Sequence, residues 1–153
     1  MNWFSDLFTN PFLLTALSSW AIAQVLKALI NAAVTHTWDV RRLFGDGGMP
    51  SGHSATVASL AMAAALRCGV DSFEFAISAV LAIIVCHDAM GVRLETGKQA
   101  ALLNEIVEAF NLLLVDDLPE EKLKEFVGHT PMQVCAGVLI GIINAFIMHR
   151  LLF

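Results

Sequence analysis

The stretch Gly47-Gly48-Met49-Pro50-Ser51-Gly52-His53-Ser54 combines the residue types that an anion site needs. Gly47 and Gly48 allow a tight backbone turn, Pro50 is preset for a helix start, and Ser51 is a good N-cap that also offers a hydroxyl. The first N–H groups of a helix starting here have no partner inside it. They point at whatever lies above Ser51 and Gly52, backed by the positive end of the helix dipole. His53 stands beside that position and can exchange a proton near neutral pH. The same residues also read as an ordinary capped helix start with no chemistry attached. Two further polar junctions, His87-Asp88 with Arg93 and the later His129, fall at the ends of apolar segments, and their convergence with Ser51 and His53 is more informative than any single histidine. By residue type alone, His53, His87, Asp88 and His129 would also serve as ligands of a divalent metal.

The elements that must position these groups are membrane helices. Hydrophobic residues make up 57% of the 153-residue chain, only 15% are charged, and the mean hydropathy is +0.69, against an apolar share of about 45–50% in soluble domains. The reading is an all-α, polytopic membrane helix bundle of about four transmembrane helices plus an amphipathic surface helix, forming a single domain over 1–153. Pro11 to Val34 is the clearest span, long enough to cross a hydrocarbon core of roughly 30 Å. Its one charge, Lys27, either snorkels to the interface or faces inward toward an anionic ligand, and the inward reading is preferred. Ser54 to Leu66 is short and rich in small residues, which suits the inside of a bundle. Phe73 to Met90 forms the third helix, and Met132 to Met148, with Gly137 and Gly141 as a small-xxx-small face, the fourth.

Between the third and fourth helices, Gly91 to Gln99 reads as a polar, glycine-bounded surface segment. Ala101, Leu102, Ile106, Phe110 and Leu113 then recur at the spacing of an amphipathic helix that lies on the bilayer or caps the bundle. Asp116 to Glu125 is acidic and reads as a solvated face, while Trp3, Phe4, Leu7 and Phe8 suit the headgroup region. Cys68, Cys86 and Cys135 have no paired spacing, so neither a disulfide framework nor a zinc site is indicated. No basic run favours nucleic acid, and no cleavable signal peptide is expected. If all four segments cross, Arg41, Arg42, Arg93, Lys98, Lys122 and Lys124 face Arg67 and Arg150 across the membrane. The positive-inside rule then places the candidate site loops in the cytoplasm of a multi-pass protein of the plasma or inner membrane.

Pro50-Ser51-Gly52-His53 matches the Pro-Ser-Gly-His motif of the type 2 phosphatidic acid phosphatase superfamily, membrane phosphatases related to vanadium haloperoxidases. The order Gly-Gly-Met-Pro-Ser-Gly-His-Ser, Asp88-Ala-Met-Gly-Val-Arg93, Gly97-Lys-Gln-Ala100, Leu103-Asn104 and Gly128-His-Thr-Pro131 resembles its divergent branch more closely still, over roughly Lys27 to Gly141. The resemblance implies that His129 attacks phosphorus to form a phosphohistidine and that His53 protonates the leaving oxygen. Ser51, Gly52, Arg93, Lys27 and Arg41 or Arg42 would hold the phosphoryl oxygens, with no cofactor or metal required. Gln133 stands where the superfamily has the carboxylate that orients the nucleophile, and Asp88 is a candidate to replace that charge. The implied activity is hydrolysis of a lipid-linked or small phosphoester or pyrophosphate. The alternative is a catalytically weak or inactive membrane protein that binds a phosphate headgroup or a partner. The expected partners are a phosphorylated lipid or small phosphate and membrane lipids, with room for a homo-oligomer.

Overall fold

A computed structural model describes residues 2–38, 48–113, 122–123 and 128–152. In these residues the chain forms α1 (Trp3–Phe8), α2 (Pro11–Thr35), α3 (Gly52–Cys68), α4 (Phe73–Met90), α5 (Val92–Leu113) and α6 (Pro131–Leu152), with no strand. Local chemistry explains the starts. Asn10 accepts from the N–H groups of Phe12 and Leu13 at 3.0 and 3.1 Å, with Pro11 at the first helical position of α2. Ser51 caps α3 by accepting from Ser54 N–H at 3.3 Å, and Ser72 caps α4 by accepting from Phe75 N–H at 3.1 Å.

The structure sharpens two sequence readings. The polar segment after Gly91 is helical from Val92, because hydrogen bonds run through the junction: Gly91 N–H donates to His87 at 2.9 Å and Glu95 N–H to Gly91 at 3.0 Å. Arg93, Leu94, Glu95, Lys98 and Gln99 are good helix formers, and Lys98 pairs with Glu95 at 2.6 Å, so this polar surface segment is an exposed helix. The second concerns the spans, where the sequence places the short Ser54 to Leu66 segment inside the bundle. Three helices are long and apolar enough to cross a membrane: α2, α4 with its continuation into α5, and α6. α3 has only 17 residues, about 25 Å at 1.5 Å per residue, short of a full span.

The position of α3 accounts for its composition. It lies at the centre, against α2, α4 and α6, and buries Gly52, Ser54, Ala55, Ala58, Ser59, Ala63 and Ala64. Gly137 of α6 faces the Ser51 carbonyl and Gly141 faces the Ala55 carbonyl, so the two helices run parallel with their backbones almost touching. α2 runs antiparallel to both: Ser59 Oγ donates to the Thr15 carbonyl at 3.5 Å near one end, while Gly52 meets Trp20 and Gln24 further along. Asn144 of α6 ties into the same face of α2 by donating to Ser19 Oγ at 2.8 Å and Ser18 Oγ at 2.9 Å. The large apolar side chains lie outside, among them Ile77, Ile83, Ile84, Leu139, Phe146 and Ile147. A small-residue interior under a large apolar exterior is the distribution expected of helices packed in lipid.

At Gly137 and Gly141 an added methyl group meets a backbone carbonyl, which cannot rotate away. Gly137→Ala and Gly141→Ala should therefore each destabilise the detergent-solubilised protein by about 1–3 kcal/mol. The outward-facing Leu139→Ala should change stability by less than about 0.5 kcal/mol. Thermal unfolding of the three variants checks this, and equal midpoints would contradict the close helix approach.

Candidate functional site

One end of the bundle gathers the start of α3, the end of α4 and the start of α6 through main-chain contacts. Ser51 N–H donates to the Gln133 carbonyl at 3.0 Å, joining the two helix starts, and His129 N–H donates to the Ala89 carbonyl at 2.9 Å, joining α6 to α4. Gly128 has φ +88° and rests directly on the backbone of Arg93 and Leu94, where neither the dihedral nor the space admits a side chain. On the remaining side, the Lys27 stem lies against Gly48: a methyl group there would sit 3.4 Å from Lys27 Cγ. The glycine-rich turn, the His87 to Arg93 junction and the Gly128-His129 turn are thus neighbours in space.

His129 is 5% exposed, and its ring is held by Gln133. Gln133 Oε1 lies 3.2 Å from His129 Nδ1 and also accepts from Thr130 N–H at 3.1 Å, while Gln133 N–H donates back to Thr130 Oγ1 at 3.4 Å. Thr130 and Gln133 therefore form a reciprocal capping box at the start of α6, with Pro131 at its first helical position. The box has a chemical consequence. A main-chain N–H can only donate, so the atom facing it must be the amide oxygen, and the same oxygen then requires a proton on His129 Nδ1. In the neutral ring this leaves the lone pair on Nε2.

The other groups take definite places. The Ser51 hydroxyl is fully buried and accepts from both Ser54 N–H and Ser54 Oγ, the latter at 2.9 Å. Its oxygen serves the cap, and the donors left over at the helix start are the Gly52 and His53 amides. The His53 side chain is exposed at that rim. Lys27 is only 6% exposed, so its ammonium stem is packed within the bundle rather than extended to the surface. Asp88 binds Arg93, Oδ2 to Nε at 2.6 Å, with both side chains partly exposed. Asp88, the candidate to supply a carboxylate to His129, is engaged by Arg93 on the turn between α4 and α5, and His129 Nδ1 meets Gln133. Arg42, Arg41 and Gly47 lie outside the described residues, as does most of the acidic stretch. Among the described residues no group of His, Cys, Asp or Glu is placed to hold a metal ion, so His53, His87, Asp88 and His129 do not gather as ligands.

Two residues near the site, Thr130 and Gln24, escaped the sequence reading. Thr130-Pro131-Met132-Gln133 carries the capping-box spacing with proline at the first helical position, a signal that was there to be read. Gln24, 9% exposed, reaches the start of α3: its carboxamide carbon lies 3.8 Å from where a Gly52 side chain would begin. Its only sequence cue is its place one turn before Lys27 on α2.

Comparison with known proteins identifies the family. Residues 8–144 match the divergent PAP2 family. The chain is 40% identical over 152 residues to the uncharacterized membrane protein YuiD of Bacillus subtilis (strain 168), covering 94% of this chain and 96% of that protein. No solved structure matches. With a family match running from the first helix of the bundle almost to the end of the last, and a full-length membrane-protein relative, the chain belongs to the divergent PAP2 family of membrane proteins.

Proposed function

We propose that this protein is a membrane phosphatase that hydrolyses a lipid-linked or small phosphoester or pyrophosphate through a phosphohistidine on His129. The observation that supports this reading most strongly is the clamp of Gln133 Oε1 between Thr130 N–H and His129 Nδ1, because it puts the proton of the neutral ring on Nδ1 and so leaves Nε2 as the nucleophilic nitrogen near a helix start of the kind that suits anions. In the first step His129 Nε2 attacks phosphorus and the bond to the leaving oxygen breaks, while His53 gives that oxygen its proton. In the second step water attacks phosphorus and gives a proton to His53. The P–N bond then breaks, and inorganic phosphate leaves. The Gly52 and His53 amides, Lys27, Arg93 and Arg42 hold the phosphoryl oxygens, where charge develops in the transition state.

Gln133 sets the speed of this chemistry. Replacing the aspartate of a serine-protease triad by an amide costs about 10⁴ in rate because the wrong histidine tautomer results. Here the main-chain N–H of Thr130 turns the amide oxygen toward the ring, so the correct tautomer is kept. What is lost is the negative charge that would stabilise the imidazolium-like phosphohistidine. The reading includes a topology in which α2, α4 and α6 cross the bilayer and the site end faces the cytoplasm, following the basic residues near that end.

Purified protein should release phosphate from phosphorylated lipids or pyrophosphate in the presence of a chelator, and His129→Ala should remove that activity to background. Retained turnover in this variant would overturn the nucleophile, and binding without turnover in the wild type would identify the non-catalytic alternative. Gln133→Leu should lower kcat by about 10²-fold or more, within the range for a positioned proton-transfer group. Gln133→Asp, which restores the charge but has a shorter reach, should retain more activity than Gln133→Leu. Equal rates in the two would remove the orienting role.

A further inference from the structure

Gln24 is the most constrained polar side chain near the site that no step above uses. Its Oε1 is buried with no hydrogen-bond partner among the described residues, in a side chain 9% exposed. A buried amide oxygen without a donor is unfavourable in any protein, and more so at membrane depth, where no bulk water reaches it. This carboxamide lies against Gly52, the first residue of α3, and one helical turn from Lys27, whose stem packs on Gly48. Around the same point are amide donors and a cation, which suit the charged oxygens of an anion. An acceptor among them suits an oxygen that carries a hydrogen.

We propose, resting on the phosphate-site reading above, that Gln24 Oε1 accepts a hydrogen bond from the protonated oxygen of a hydrogen-phosphate group seated at the start of α3. The match is chemical. A phosphomonoester or inorganic phosphate near neutral pH retains a P–OH for part or all of its population, because its second ionisation lies near pH 6–7. Sulfate has similar shape and charge but no hydrogen to donate, and a phosphodiester also has none. An acceptor oxygen fixed in the pocket thus selects hydrogen phosphate over both. Gln24 is a specificity-determining residue, separate from His129 and His53, which carry the chemistry.

The test measures binding of inorganic phosphate and of sulfate to the detergent-solubilised full-length protein at pH 6.5 and fixed ionic strength. The wild type should prefer phosphate by about tenfold, the scale of one neutral hydrogen bond with its unpaired-acceptor penalty. Gln24→Met, close in volume but with only a weak acceptor, should bind the two anions equally. Gln24→Glu, which can still accept but adds negative charge, should bind both more weakly and keep the preference. This second variant decides the matter if the methionine variant does not fold. Glycerol phosphate and a phosphomonoester lipid in mixed micelles then identify the source of the phosphate by which displaces the ion. Equal binding by the wild type, a preference that survives Gln24→Met, or an equal loss of both anions in that variant would overturn the role of Gln24 while leaving the phosphate site standing. Absence of binding by either anion to the wild type would instead overturn the site itself, and this inference with it.

Discussion

The approach of α6 to α3 at Gly137 and Gly141 is the constraint on which the rest depends. With glycine facing the carbonyls of Ser51 and Ala55, two parallel helices can lie close enough for their first turns to share a hydrogen bond, Ser51 N–H to Gln133. Both helix starts then sit at one level, with their dipoles aligned and the amides of Gly52 and His53 left over at the start of α3. The short α3 needs no lipid-facing surface of its own, because α2, α4 and α6 surround it. Its alanines and serines are the consequence of that position. A bulkier helix would hold α6 away and separate the turn before α3 from His129.

A second economy lies in Gln133, whose carboxamide completes a capping box and orients a histidine with the same oxygen. The two roles reinforce each other. The main-chain donor of Thr130 fixes which end of the amide faces inward, and that choice dictates the proton position on His129. A carboxylate would do the same and add charge, whereas the amide places no negative group beside the site proposed for phosphate. Arg93 is correspondingly matched by Asp88 at the rim, so the cationic side of the site is partly balanced before any ligand arrives.

Much of this was legible in the sequence because each signal was local. The apolar run from Pro11, the cap at Ser51, the glycine spacing of α6 and the motif order all follow from short-range rules, and the helices lie within a few residues of where those rules put them. The sequence said less where a local signal had more than one meaning. Gly91 followed by charged residues signalled a polar surface segment, but not that these residues, being helix formers, carry the chain straight into a second helix. Asp88 had the right charge for the missing carboxylate, and only the fold reveals its ion pair with Arg93, five residues on. Gln24 could not be found by spacing to Gly52, since the two meet only when α2 packs antiparallel on α3.

The central claim is that His129, held by Gln133 with Nε2 unprotonated, becomes covalently bonded to phosphorus. Rapid alkaline quenching of the purified protein during turnover of a radiolabelled phosphate donor, followed by peptide mass spectrometry, tests it most directly, because phosphohistidine survives base and is lost in acid. The account predicts acid-labile label on the peptide containing His129 and none on that containing His53. Turnover with no label on His129, or with label on another residue, would contradict it.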